Sequence, residues 1–109
     1  MSPDGRFLYA SVRGQSAAPE PTWNGVTAFA VSATDGSLTS IGYFDGGGAV
    51  NFPRSIAVDP SGLLLVAGNQ AASSFTVFTI DGTSGALTLA GTQAVGFPAF
   101  FVGFVPQSL

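Results

Sequence analysis

Two stretches of this chain share one grammar, and any fold for it has to accommodate both copies. Ser2-Pro-Asp-Gly-Arg-Phe-Leu-Tyr-Ala-Ser11 matches Asp59-Pro-Ser-Gly-Leu-Leu-Leu-Val-Ala-Gly68, with Gly5 opposite Gly62 at an offset of 57 residues. Val26-Thr-Ala-Phe-Ala-Val-Ser-Ala-Thr-Asp-Gly-Ser-Leu-Thr39 matches Phe75-Thr-Val-Phe-Thr-Ile-Asp-Gly-Thr-Ser-Gly-Ala-Leu-Thr88, with Phe29 opposite Phe78 and Gly36 opposite Gly85 at an offset of 49. The difference of 8 is an insertion in the first copy, the Pro-rich stretch from Gln15 to Asn24. A partial third match sets Phe52-Pro53 against Phe97-Pro98, 45 residues apart. A period of roughly 45 residues falls in the range of β-propeller blades.

Local pattern points the same way. Short β-branched or aromatic runs span Phe7 to Val12, Val26 to Val31, Leu38 to Phe44, Ser55 to Val58, Leu63 to Ala67, Phe75 to Ile80, Ala86 to Gly91 and Phe100 to Val105. Turn dipeptides separate them, among them Asp4-Gly5, Asp35-Gly36, Ser61-Gly62 and Ser84-Gly85. No window of about 11 residues carries an uninterrupted helical stripe. The fold class expected is all-β, about two blades of a propeller. Four strands lie between Pro53 and Thr92, one whole blade, whereas the first copy supplies three. The expected organisation is an incomplete blade over 1–45, a complete blade over 52–93, and an innermost strand of a closing blade over 97–106. A ring needs 4 to 8 blades, so the chain reads as the C-terminal piece of a longer propeller, with Met1 an internal methionine or a mistaken start.

Composition removes several functions. The net charge is −3 and the arginines Arg6, Arg13 and Arg54 are scattered, so there is no nucleic-acid footprint. Zero Cys and zero His leave no disulfide framework, thiolate zinc site, cysteine nucleophile or imidazole base. The longest apolar stretches fall far short of the ~20 residues that span a bilayer as a helix, and no partner membrane is expected. The N-terminus carries no basic or apolar leader. That favours the cytoplasm and leaves secretion open, given an N-terminus that reads as truncated.

The string Phe52-Pro-Arg-Ser-Ile-Ala-Val-Asp-Pro-Ser-Gly-Leu-Leu-Leu-Val-Ala-Gly-Asn-Gln70, followed by Phe75-Thr-Val-Phe and Gly85-Ala-Leu-Thr, resembles the lactonase-type seven-bladed propeller family. Ser2-Pro-Asp-Gly-Arg-Phe-Leu-Tyr is shared by many propellers and adds less. That family includes propeller-type 6-phosphogluconolactonases and carboxymuconate-lactonizing enzymes. The resemblance implies hydrolysis of a sugar lactone at a central channel, with no cofactor and a small-molecule lactone as partner. It also implies that Arg54, at the family's Pro-Arg position, faces the channel as the catalytic arginine. The family's histidine and glutamate have no counterpart here, so the chain alone is expected to be inactive. A carboxymuconate cycloisomerase and a non-catalytic interaction platform are the alternatives.

Duller roles compete for each residue. Arg54 could pair with a carboxylate between blades. Asn69, a candidate substrate contact, and Gln70 could satisfy backbone groups. Asp4, Asp35, Asp45, Asp59 and Asp81 read as turn formers, and Glu20 as a solvated side chain. Trp23 could stack on a sugar but fits a blade edge better. Gly46-Gly47-Gly48 opens no helix and reads as a connection between blades, not a phosphate cradle. The ten phenylalanines read as core. Unpaired edges in so short a propeller are expected to make the chain self-associate.

Overall fold

Four of the tight turns are closed by a carboxylate and carry a glycine in the left-handed region. Asp35 accepts the Ser37 N–H at 3.0 Å, and Asp81 accepts those of Thr83 and Ser84, each at 2.8 Å. Those N–H donors hold both carboxyls below the ordinary aspartate range. Gly36 and Gly85 follow at φ +75° and +77°, and Gly5 and Gly62 both stand at +75°. The two remaining turns use one device in reverse order: the Ser2 hydroxyl donates to Asp4, and the Ser61 hydroxyl donates to Asp59. Asp45 caps a 3-10 turn at Gly46–Gly48 by accepting the Gly47 N–H at 2.9 Å.

The computed structural model describes residues 1–14, 23–99 and 101–105. Its strands are β1 (Phe7–Arg13), β2 (Asn24–Val31), β3 (Leu38–Phe44), β4 (Pro53–Val58), β5 (Leu64–Asn69), β6 (Ser74–Ile80) and β7 (Leu87–Ala94). They form two antiparallel meanders, β1-β2-β3 and β4-β5-β6-β7. The repeat extends to irregularities. The β2–β3 register slips between Ala28 and Phe29, and the β6–β7 register slips between Val77 and Phe78, positions 49 residues apart.

One face of each sheet meets the other. Phe7, Tyr9, Val26 and Ala28 from the first sheet pack with Leu65, Phe78, Ile80 and Leu87 from the second. These residues alternate with more exposed ones along β1 and β6, the period expected of half-buried strands. Hydrogen bonds fasten the turn ends. The Tyr9 hydroxyl donates to the Gly85 carbonyl at 2.7 Å, and Arg6 Nη2 donates to the Gly82 carbonyl at 2.7 Å. Burial, reinforced by the nearby Asp4 charge, pushes the Tyr9 phenol up to about 12.

Seven of the eight expected runs fall in strands, and the described part of the run from Phe100 to Val105 does not. Residue 100 lies outside the described residues, and 101–105 carry no strand geometry. β-propensity supplies no pairing partner, and the segment instead folds across the second sheet's outer face. There the Val102 N–H donates to Ser55 Oγ at 3.1 Å, while Val66 and Phe75 line a groove with Phe101 and Phe104. Glu20 also lies outside the described residues.

Candidate functional site

Antiparallel order sorts the chain's charges by end. Asp4, Asp35, Asp59 and Asp81 all sit in the turns at one end, together with Arg6, which pairs with Asp4 at 2.6 Å. Arg13 closes β1 and Arg54 follows the first residue of β4, so both stand at the opposite rim, with Asp45 at the end of β3. Arg13 and Arg54 give this rim guanidinium groups of a chemistry suited to an anion.

Arg54 lies on β4, which begins the strand order of its sheet, and it is exposed. It occupies an irregularity. Pro53 pairs with Asn69 and Ser55 with Gly68, so Arg54 is the extra residue between successive partners. A bulge of this kind turns a side chain out of the ladder's alternation, and such bulges recur beside binding sites. The residues just before it are also irregular. Phe52 adopts φ +54°, in the left-handed region, which costs a bulky residue about 1–3 kcal/mol, and Pro53 narrows its choices further.

Three groups hold Phe52 there. Asn24 Oδ1 accepts the Phe52 N–H at 3.0 Å and also the Gly14 N–H at 3.1 Å. The Gln70 N–H donates to the Phe52 carbonyl at 3.2 Å. The Arg13 guanidinium lies 4.0 Å from the centroid of the Phe52 ring, and its Nη2 donates to Gln70 Oε1 at 3.3 Å. Each hydrogen bond contributes about 0.5–1.5 kcal/mol and an exposed cation–π contact about 0.5–1 kcal/mol. Together these contacts are of the same size as the backbone cost.

Asn69 has a different position. It is fully buried, and its side chain fixes the 49–51 segment to the second sheet. Its Oδ1 accepts the Asn51 N–H at 3.0 Å, and its Nδ2 donates to Thr76 Oγ1 at 2.8 Å and Ser74 Oγ at 3.2 Å. Thr76 Oγ1 in turn donates to the Ala49 carbonyl at 3.0 Å. Arg54 and Asn69 are therefore close in register but do not share a surface. Arg13, Asn24 and Phe52 complete the rim, and only the Phe-Pro-Arg string marked any of it in the sequence. An isolated arginine before a glycine reads as surface, and nothing local announces a left-handed phenylalanine.

Beside the rim an open groove of about 340 Å³ is lined by Trp23, Asn24, Tyr43, Asp45 and Asn51. Trp23 is more than half exposed and meets Tyr43 edge-on, with ring centroids 5.4 Å apart. Among the described residues no three His, Cys, Asp or Glu side chains gather to hold a metal, and no helix is long and apolar enough to cross a membrane.

Residues 1–104 match the family described as lactonase, seven-bladed β-propeller. A 6-phosphogluconolactonase of Formosa agariphila is 37% identical over 87 residues, covering 80% of this chain and 22% of that relative. A solved structure of a Lactobacillus plantarum protein superposes with a TM-score of 0.78 at 33% identity, covering 94% of this chain and 27% of that one. The periplasmic gluconolactonase of Pseudomonas aeruginosa gives a TM-score of 0.71 at 28% identity, covering 88% of this chain and 24% of that one. The chain thus spans between 22% and 27% of the length of these relatives.

Proposed function

The chain belongs to the seven-bladed β-propeller lactonase family, and on that footing we propose that it forms the anion-binding rim of a sugar-lactone hydrolase acting on 6-phosphogluconolactone. The observation that carries this reading is Arg54, exposed on a bulge in the strand that begins its sheet's order. A guanidinium there can hold a phosphate or carboxylate through two parallel hydrogen bonds. It can also meet the negative charge that gathers on the lactone carbonyl oxygen as water adds. The chain has no histidine, so the groups that move protons come from other blades of the ring. Asn69 is a holder of the rim loop in this reading, not a substrate contact. Residues 1–45 and 52–93 serve as neighbouring blades, and 97–106 becomes a strand when a further blade offers it an edge.

A chimera tests this. This chain replaces the matching segment of the Formosa agariphila relative, and lactone hydrolysis is followed against the spontaneous rate. The chimera should turn over 6-phosphogluconolactone, and Arg54→Gln within it should lower kcat/KM by about 10²-fold or more. An Arg54→Gln chimera as fast as its parent removes Arg54 from the chemistry.

A further inference from the structure

We propose that the groove beside the rim binds one neutral sugar ring, stacked on the Trp23–Tyr43 pair. The proposal does not depend on the reading of Arg54. Tyr43 belongs to β3, which ends the strand order of the first sheet. Trp23 directly precedes β2 and meets Tyr43 edge-on, at an interplanar angle of 76°. A tryptophan packed on the blade edge would be buried, whereas Trp23 is 58% exposed and Tyr43 37%. Neither ring belongs to the hydrophobic core.

Two glycines make room for this pair. A methyl at Gly25 would stand 2.7 Å from the Tyr43 ring and from the Phe44 carbonyl oxygen. One at Gly14 would stand 2.9 Å from the Trp23 carbonyl oxygen. Neither glycine takes a left-handed φ, so what each contributes is space and not a turn. Glycine inside a strand weakens it and marks a close approach of backbone or ligand, and Gly25 lies inside β2. The sheet thus gives up two side chains to seat rings that add nothing to its core.

The polar lining selects the ligand. A pyranose has a face of C–H groups, which suits the negative face of an aromatic ring, and a rim of hydroxyls that donate and accept. The Asn24 and Asn51 amides and the Asp45 carboxylate line the same groove. An amide offers donors and an acceptor together, and a carboxylate accepts from two hydroxyls. Buried Asn69 holds Asn51 through its N–H, and Asp45 Oδ1 is anchored by the Gly47 N–H at 2.9 Å. Burial, and next the Asp45 charge, raises the Tyr43 phenol above the ordinary tyrosine range. None of the chain's three arginines lines the groove, so a phosphate there would meet only the negative charge of Asp45. An uncharged hexose is the ligand this chemistry fits. A volume of about 340 Å³ stands at the small end of ligand pockets, room for one ring and not for an extended glycan.

Trp23 is the chain's only tryptophan, so its fluorescence reports on the groove directly. The experiment titrates methyl β-D-glucopyranoside into the 109-residue chain and follows Trp23 emission, with calorimetry for variants that lack the reporter. Emission should shift to the blue with a Kd of about 1 mM, the affinity expected of so small a ligand in an open groove. Trp23→Ala should lose measurable binding, while Trp23→Phe, which keeps an aromatic face, should stay within about tenfold of the parent. Tyr43→Ala should bind about tenfold more weakly and keeps the reporter. Sorbitol, with hydroxyls but no ring, should leave the emission unchanged. Glucose 6-phosphate should bind about tenfold more weakly than the glucoside, or worse.

No emission change by about 50 mM glucoside, where a site of that affinity is nearly full, overturns the proposal. So does binding that survives Trp23→Ala, which would put the sugar elsewhere on the chain. Sorbitol binding as well as the glucoside rules out stacking. Glucose 6-phosphate binding equally well refutes the assignment to a neutral sugar.

Discussion

Phe29 and Phe78 fill the same place in the two copies, in strands of the same length class with the same bulge beside them, yet their surroundings differ. Phe78 is 1% exposed, wedged between the sheets, whereas Phe29 lies on the first sheet's other face and stays partly open. Gly36 and Gly85 repeat the contrast. Both take nearly the same φ, but a methyl added at Gly36 meets nothing within 4 Å, while one added at Gly85 lands 2.5 Å from the Phe7 ring. Repetition in sequence thus reproduces the local chain, and the neighbour decides what each copied residue contributes.

Unfolding experiments on matched pairs can break that comparison. The largest effect belongs to the phenylalanines. Phe78→Ala should cost about 3–5 kcal/mol, and Phe29→Ala about 1 kcal/mol, as measured by urea unfolding. Equal losses would mean that the sheets do not pack as described. Gly85→Ala should follow at about 3 kcal/mol, combining a left-handed alanine with overpacking against Phe7. Gly36→Ala should show only the backbone part, about 1–2 kcal/mol.

Tyr9 sharpens the view of the junction itself. Tyr9→Phe should cost about 1 kcal/mol at neutral pH by leaving the Gly85 carbonyl without its donor. Because folding raises the phenol from 10.0 to about 12, its contribution is complete below pH 10 and is lost as the pH climbs toward 12. Stability followed through that window should fall in the parent and stay flatter in Tyr9→Phe. The smallest effect is acidic. The Arg6 hydrogen bond, aided by Ser2, lowers Asp4 from 3.8 to about 2, so its contribution is present above about pH 4 and fades as the pH falls toward 2. Asp4→Asn should blunt that fade. Ser61, its counterpart in the second copy, has no charge to lose.

Much of the fold was legible because turns and alternation are local properties. Asp35-Gly36 and Ser84-Gly85 announce their conformations from two residues each, and seven runs became strands where propensity placed them. The segment 101–105 departed because a strand also needs an edge, and composition does not say whether one is within reach. The site was legible only where a string of residues carried it. Arg54 stood out beside its proline, but its exposure depends on a bulge created by the register with β5. Asn69 read either as a substrate contact or as a partner for backbone groups, and only the approach of the 49–51 segment, whose Asn51 N–H it accepts, decides its place. Arg13 and Phe52 are nearly forty residues apart in sequence, and no short-range pattern links them.

The sorting of charge between the two ends gives the chain an electric polarity along its strands. Carboxylates crowd the turn end, while Arg13 and Arg54 stand at the rim. A small anion diffusing toward this surface is repelled from one end and drawn to the other before any contact forms, an effect that orients encounter more than it adds affinity. Its reach is about 8 Å at physiological ionic strength. Association of a phosphorylated sugar should therefore slow as salt is added, while an uncharged lactone should arrive at the same rate throughout.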